Sequence, residues 1–145
     1  MSSHFSAELR RSVDERAGGA CEYCLIQQRD TYFGCHVDHI IAEKHGGPTE
    51  LDNLALACAV CNRAKGTDIA SLVPGTDLLV RLFNPRLDRW DAHFRVDPDT
   101  FEIKSLTEIG AATARLLGFN EIERVLERQS LARIGRYSVT RARPK

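Results

Sequence analysis

The apolar and polar positions change period several times along the chain, and each change marks an element. Leu9, Val13 and Ala17 recur at i, i+4 and i+8 behind Ser6, a residue type that caps helices, and Gly18-Gly19 ends the run. This spacing predicts an N-terminal helix that delivers the chain to Cys21. Residues 32–41 are rich in β-branched and aromatic side chains, and residues 54–58 form a second short apolar run, so both predict strands. Between them AEKHGGPTELDN, with its Gly-Gly-Pro and Asp-Asn, predicts a long loop. The segment AVCNRAKG after Cys58 predicts a short helix closed by Gly66. Farther on, residues 78–83 predict a strand, and HFRV and FEI around Asp97-Pro98-Asp99-Thr100 predict a hairpin. Thr107 then opens a helix to about Leu117, and Asn120 opens another with Ile122, Val125 and Leu126 on one face. Residues 140–145 are expected to be loose.

This order of elements implies an α+β fold. A chain of 145 residues with 43% hydrophobic composition buries one core of ordinary size, which argues for one compact unit rather than two full domains. The opening residues contain no apolar stretch suited to export, and no apolar run approaches the roughly 20 residues a membrane span needs. The expectation is a soluble, cytoplasmic protein without membrane association.

Charge changes this picture only through its distribution. Lys plus Arg and Asp plus Glu number 20 each, so bulk charge gives no support to a polyanion partner. Residues 1–114, however, hold 12 basic and 17 acidic side chains and residues 115–145 hold 8 and 3, a net of −5 followed by +5. If nucleic acid binds, the basic end is where help is expected. Arg124, Arg128, Arg133 and Arg136 are interleaved with Glu121, Glu123 and Glu127, so internal ion pairs on a solvated helix compete with phosphate contact. Arg141 and Arg143 tip the balance toward weak DNA contact by a tail beginning at about residue 136.

Four of the five cysteines form two Cys-x-x-Cys pairs, Cys21/Cys24 and Cys58/Cys61. Each pair places two thiolates on a tight turn, and together they complete a tetrahedral site suited to zinc. A closed four-thiolate sphere leaves no position for water, which makes such a zinc structural. The competing reading, a redox dithiol, does not need a twin. Cys35 is read as a buried apolar thiol on a strand.

Between and after these pairs stand His36-Val37-Asp38-His39-Ile40-Ile41, Gly46-Gly47, Asn53-Leu54 and Cys61-Asn62-Arg63-Ala64-Lys65-Gly66. In this ordered set, over roughly residues 20–67, the chain resembles the HNH endonuclease family in its zinc-containing subgroup. The opening before Cys24 and the LFNPRLDRW segment resemble flanks of bacterial HNH proteins more weakly. The resemblance implies a ββα-metal core within residues 1–67, together with the N-terminal helix, and a C-terminal extension over residues 68–145 packed on it. It further implies hydrolysis of DNA, leaving a 5′-phosphate and a 3′-hydroxyl. His39 matches the general base, a task suited to an imidazole, whose ordinary pKa is about 6.5. Asp38 and Asn62 match the ligands of a catalytic Mg²⁺ or Mn²⁺, and Asn53 matches the residue that pins the loop near the base by bonding backbone.

Three further side chains are open at this point. His36 lies two residues before Asp38, so on a strand both project to one face; it either assists metal or phosphate or is a plain strand residue. Lys65 shares a helix face with Asn62, where a phosphate contact competes with simple solvation. His45 sits in a glycine loop, where solvent exposure is the default. Two rivals to a nuclease also stand: a zinc-stabilised nucleic-acid-binding module that does not cut, which intact Asp38, His39 and Asn62 argue against, and a partner-binding zinc domain, favoured by the near-zero net charge.

Overall fold

The computed structural model describes residues 5–138. Helix α1 spans Ala7–Ala17; Ser6 Oγ accepts from the backbone N–H of Leu9, and Gly18 closes the helix in the left-handed conformation. Its buried residues, Val13 and Ala17, belong to the predicted stripe. The chain then turns through the first cysteine pair into β1 (Cys35–His39), which pairs antiparallel with β2 (Leu54–Cys58), Asp38 opposite Ala55 and Cys35 opposite Cys58. Helix α2 (Ala59–Lys65) follows β2 without a break, because Cys58 ends the strand and caps the helix, its Sγ accepting from Cys61 N–H. Two antiparallel strands running into a helix make the ββα unit.

All five residues of β2 are buried, yet among the described residues only β1 pairs with it as a strand. Side chains satisfy its other edge. Glu22 accepts from Leu56 N–H through Oε2, and its own N–H donates to Leu56 O. Arg16 and Arg86 both donate to Leu54 O, at 2.6 and 3.0 Å, and Arg86 is ion-paired with Glu22. A buried strand edge left unpaired would be costly, so these charged groups stand in for a third strand.

Two further antiparallel hairpins flank the unit: β3 (Ala70–Leu72) with β4 (Leu79–Arg81), and β5 (Phe94–Val96) with β6 (Ile103–Ser105). The short α3 (Trp90–His93) leads into β5, while α4 (Glu108–Leu116) and α5 (Ile122–Arg133) complete the described chain. Phe94 ties the parts together, with ring centroids 5.3 Å from Phe83, 5.1 Å from Trp90 and 5.5 Å from Phe119. Trp90 Nε1 donates to Tyr23 O at 2.8 Å, so the LFNPRLDRW segment braces the first cysteine turn through both Arg86 and Trp90. No helix is long and apolar enough to cross a membrane among the described residues.

Several expectations need correction. The first strand is shorter than residues 32–41: Gly34, at φ +71°, turns the chain, and Tyr32 and Phe33 stand exposed, 93% and 70%, stacked edge-on against each other. The strand expected over residues 78–83 narrows to β4, and its partner β3 was not foreseen. Asn120 does not open the last helix. Its amide donates to Ile103 O and accepts from Ile103 N–H, fastening β6, and Glu121 precedes the helix instead. The buried side of α5 holds Arg124, Val125 and Arg128, whereas Ile122 and Leu126 are exposed. The reason is that both arginines find acceptors inside the fold. Arg136 is ion-paired with Asp30 but stays exposed, as do Arg115 and Arg133, so Arg124 and Arg128 are the internal members of the basic stretch through residue 136. The tail positions Arg141 and Arg143 lie outside the described residues.

Candidate metal centre and active site

The four sulfurs of Cys21, Cys24, Cys58 and Cys61 lie within 4.8 Å of one another, and all four residues are buried. A zinc–sulfur bond of about 2.3 Å in a tetrahedron sets sulfur–sulfur distances of about 3.8 Å; Cys24 Sγ and Cys58 Sγ are 3.7 Å apart. Both turns aim an N–H at the first sulfur of the pair, Cys24 to Cys21 and Cys61 to Cys58, each at 3.4 Å. Burial pushes the Cys21 and Cys61 thiols up, whereas hydrogen bonds from the neighbouring sulfurs hold Cys24 down. Several thiolates so close together are tenable only with a cation among them, and this donor set fits zinc. The arrangement is closed and dry, as a structural site requires.

Arg124 reaches this cluster from α5. Its Nη2 donates to Cys61 Sγ at 3.3 Å and lies 3.9 Å from Cys58 Sγ, while Nη1 donates to Leu117 O at 2.8 Å. Burial opposes its charge, but Cys24, Cys61 and Cys58 outweigh that and push its pKa up. Arg128 instead donates to Phe101 O and Asn120 Oδ1. Tyr137 caps the first turn, its hydroxyl donating to Cys24 O at 2.8 Å. Sequence reasoning placed these arginines on a solvated or phosphate-tracking face, because interleaved charges carry no mark of the sulfurs across the fold. Cys35 is a buried thiol on β1 at the edge of this region, its pKa raised by burial.

A second group gathers where β1 ends. Asp38 is buried, and Lys65 of α2 lies 3.1 Å from its Oδ2; Tyr23 donates to the same oxygen at a long 3.5 Å. Burial raises the Asp38 carboxyl, and the Lys65 ammonium pulls against that rise. Lys65 also donates to the backbone O of His39 at 3.0 Å. Lys65 is therefore not solvated; at 2% exposure it joins α2 to both halves of the Asp38-His39 pair. Asn62, one helical turn earlier, is half-buried. His36 is exposed, and His45, also exposed, has its Nε2 3.1 Å from Thr67 O.

His39 has its ring against Phe5, centroids 5.6 Å apart, and its Nε2 2.8 Å from Thr49 Oγ1. Thr49 Oγ1 in turn donates to Glu43 Oε2 at 3.3 Å. With the hydroxyl proton directed at Glu43, Thr49 accepts from His39 Nε2–H, which leaves Nδ1 with the lone pair. Sequence reasoning missed Thr49; its position directly after Gly46-Gly47-Pro48 was the available signal.

Asn53 holds the intervening loop. Its Nδ2 donates to Ile41 O and Pro48 O, both at 2.9 Å, and its Oδ1 accepts from Ile41 N–H at 3.0 Å. Gly47 is part of the same knot, because a Cβ there would sit 1.8 Å from Ile41 O and 2.8 Å from Asn53 Nδ2. Thr49 thus hangs from a loop whose shape depends on Asn53 and on the missing side chain of Gly47.

Among known proteins, the family model described as HNH endonuclease matches the chain over residues 21–68. No curated protein and no solved structure matches it. The matched residues run from the first cysteine pair through β1, the pinned loop, β2 and α2. Residues 21–68 are thus similar to the HNH endonuclease family, and this segment carries four cysteines positioned to hold a metal ion.

Proposed function

We propose that the chain is a divalent-metal-dependent endonuclease hydrolysing DNA phosphodiester bonds, with His39 as general base. One observation carries the reading: within a segment matched by a nuclease family model, Asp38 and His39 end β1 beneath α2, and the ring of His39 is already oriented through Thr49. A phosphodiester resists attack because its oxygens are anionic and its leaving group is poor, so cutting needs an activated water and positive charge at the leaving oxygen.

In this reading His39 Nδ1 takes the proton of the attacking water, and Thr49 with Glu43 keeps the ring in the tautomer that makes Nδ1 basic. Asp38 and Asn62 would hold Mg²⁺ or Mn²⁺, which would supply the positive charge when bound. The donor set suits such an ion, one carboxylate and one amide oxygen leaving most of a hard cation's shell to water and phosphate. The contacts of Asp38 described above fall on Oδ2, which leaves Oδ1 for an ion. Asn53 and Gly47 position the loop rather than meet substrate. The choice of DNA over RNA rests on the family resemblance.

The Lys65–Asp38 pair favours a second reading, a zinc-stabilised module that binds nucleic acid without cutting, because the ammonium competes with a metal for the carboxylate. One assay separates them. Purified protein stripped of loosely held ions is incubated with supercoiled plasmid, with and without added Mg²⁺ or Mn²⁺. Nicking that depends on the added ion is the expected result, and a mobility shift without nicking overturns the catalytic reading in favour of the module.

A further inference from the structure

We infer that Arg124 is part of the metal centre: its guanidinium, donating to Cys61 and lying beside Cys58, stabilises the thiolates and holds the ion against release. The inference rests on the four-cysteine site and not on the nuclease reading. It therefore stands or falls separately from cleavage.

Charge is the first reason. Four thiolates around a dication leave a net of two negative charges in a setting where the sulfurs are almost fully buried. Such a charge is costly away from water unless a cation or hydrogen-bond donors accompany it. The two turn N–H groups contribute dipoles, but among the described residues Arg124 is the cation with a contact to the sulfurs.

Geometry is the second. Arg124 is 9% exposed, and the fork is held on both arms, Nη1 by Leu117 O and Nη2 by sulfur, with the guanidinium carbon 5.9 Å from the Phe119 ring centre. A guanidinium fixed in this way loses little further freedom in meeting the sulfurs. A lysine would keep the charge but not the fork. Groups that bond to metal ligands tune affinity by about 10–100-fold when removed.

Position is the third. Arg124 lies in the C-terminal extension, outside the residues matched by the family model, and it reaches the second cysteine pair, while Tyr137 reaches the first. Cysteines more than 60 residues before α5 in the chain are thereby joined to it, so metal loading and docking of α5 favour one another.

The test measures transfer of zinc from intact, zinc-loaded protein to a chromogenic chelator, for wild type and for Arg124→Met, Arg124→Lys and Arg128→Met. Release from Arg124→Met is expected to be about 10–100-fold faster than from wild type, with Arg124→Lys between them. Arg128→Met is the control, because Arg128 is buried on the same helix but bonds Phe101 O and Asn120 rather than sulfur. Its release is expected to stay within about twofold of wild type. Equal release from wild type and Arg124→Met overturns the proposal, and so does equal acceleration by Arg124→Met and Arg128→Met, which would assign the effect to helix docking alone. If Arg124→Met does not fold, Arg124→Lys carries the test in cobalt-substituted protein. Weaker donation to sulfur is expected to move the thiolate-to-cobalt charge-transfer band to lower energy and to speed release. An unchanged band with an unchanged release rate overturns the proposal.

Discussion

A buried charge needs a partner, and around this site the partners decide what each residue is able to do. His39 was legible as a candidate base from the Asp-His pair and from Asn53 and Asn62 after it, but the group that orients it was not, since Thr49 becomes its neighbour only when the loop folds back. Thr49→Val removes the acceptor for His39 Nε2–H and keeps the side chain's shape. With a hydrogen bond worth about 1 kcal/mol, plasmid-cutting kcat is expected to fall about five- to tenfold with KM little changed; a kcat equal to wild type removes Thr49 from the site. Gly47 makes a different prediction. Because a Cβ would collide with Ile41 O, Gly47→Ala should shift the loop and lower urea-unfolding stability by about 2 kcal/mol or more. An unaltered midpoint contradicts the knot described around Asn53. Lys65 and Arg124 show the limit of reading residues alone, since a lysine after a Cys-Asn and an arginine among glutamates read as solvated until the carboxylate and sulfurs they meet are known.

The elements were legible where local signals are strong. Capping by Ser6 and Thr107, the α2 segment after Cys58, the β2 run and the hairpin about residues 97–100 arise from side chains acting within a few residues of themselves. The β3–β4 hairpin and the orientation of α5 arise instead from contacts distant in sequence, which periodicity does not report. In α5 a leucine-and-isoleucine stripe lost to two arginines because Leu117 O, Phe101 O, Asn120 and Cys61 supply acceptors that no apolar face offers. The segment after β4 carries a pH prediction. Arg81 holds the Asp88 carboxyl below its ordinary value through a two-point hydrogen bond, aided by Asn84 N–H. A carboxyl depressed in the folded state adds stability above its unfolded pKa, about 3.9, and loses it as pH falls through the folded value. Asp88→Asn should therefore lower Tm relative to wild type at pH 7, with the difference shrinking below about pH 4. A difference that persists unchanged into acid contradicts the assignment.

At the scale of the whole molecule, the four-cysteine cluster supports the place where the proposed catalytic ion would act. Cys58 ends β2 and caps α2, so the four-cysteine cluster fixes the start of the helix that carries Lys65 to Asp38. Because structural zinc binding is coupled to folding, Cys58→Ser or Cys61→Ser is expected to release zinc and unfold the core, read by elemental analysis and circular dichroism. A moderate chelator should by contrast remove the loosely held ion and leave zinc and fold in place. The family resemblance was carried by an ordered set of residues within about 20–67, while the bracing by Arg86, Trp90, Arg124 and Tyr137 comes from the C-terminal extension and was not visible in that set. The measurement closest to the central claim is plasmid nicking by His39→Ala beside wild type, in Mg²⁺ or Mn²⁺, with zinc content and circular dichroism recorded for both. A general base contributes about 10²–10⁴ in rate, so cutting at least about a hundredfold slower by a folded, zinc-loaded variant is the predicted result. Nicking at the wild-type rate by that same folded protein would contradict the account.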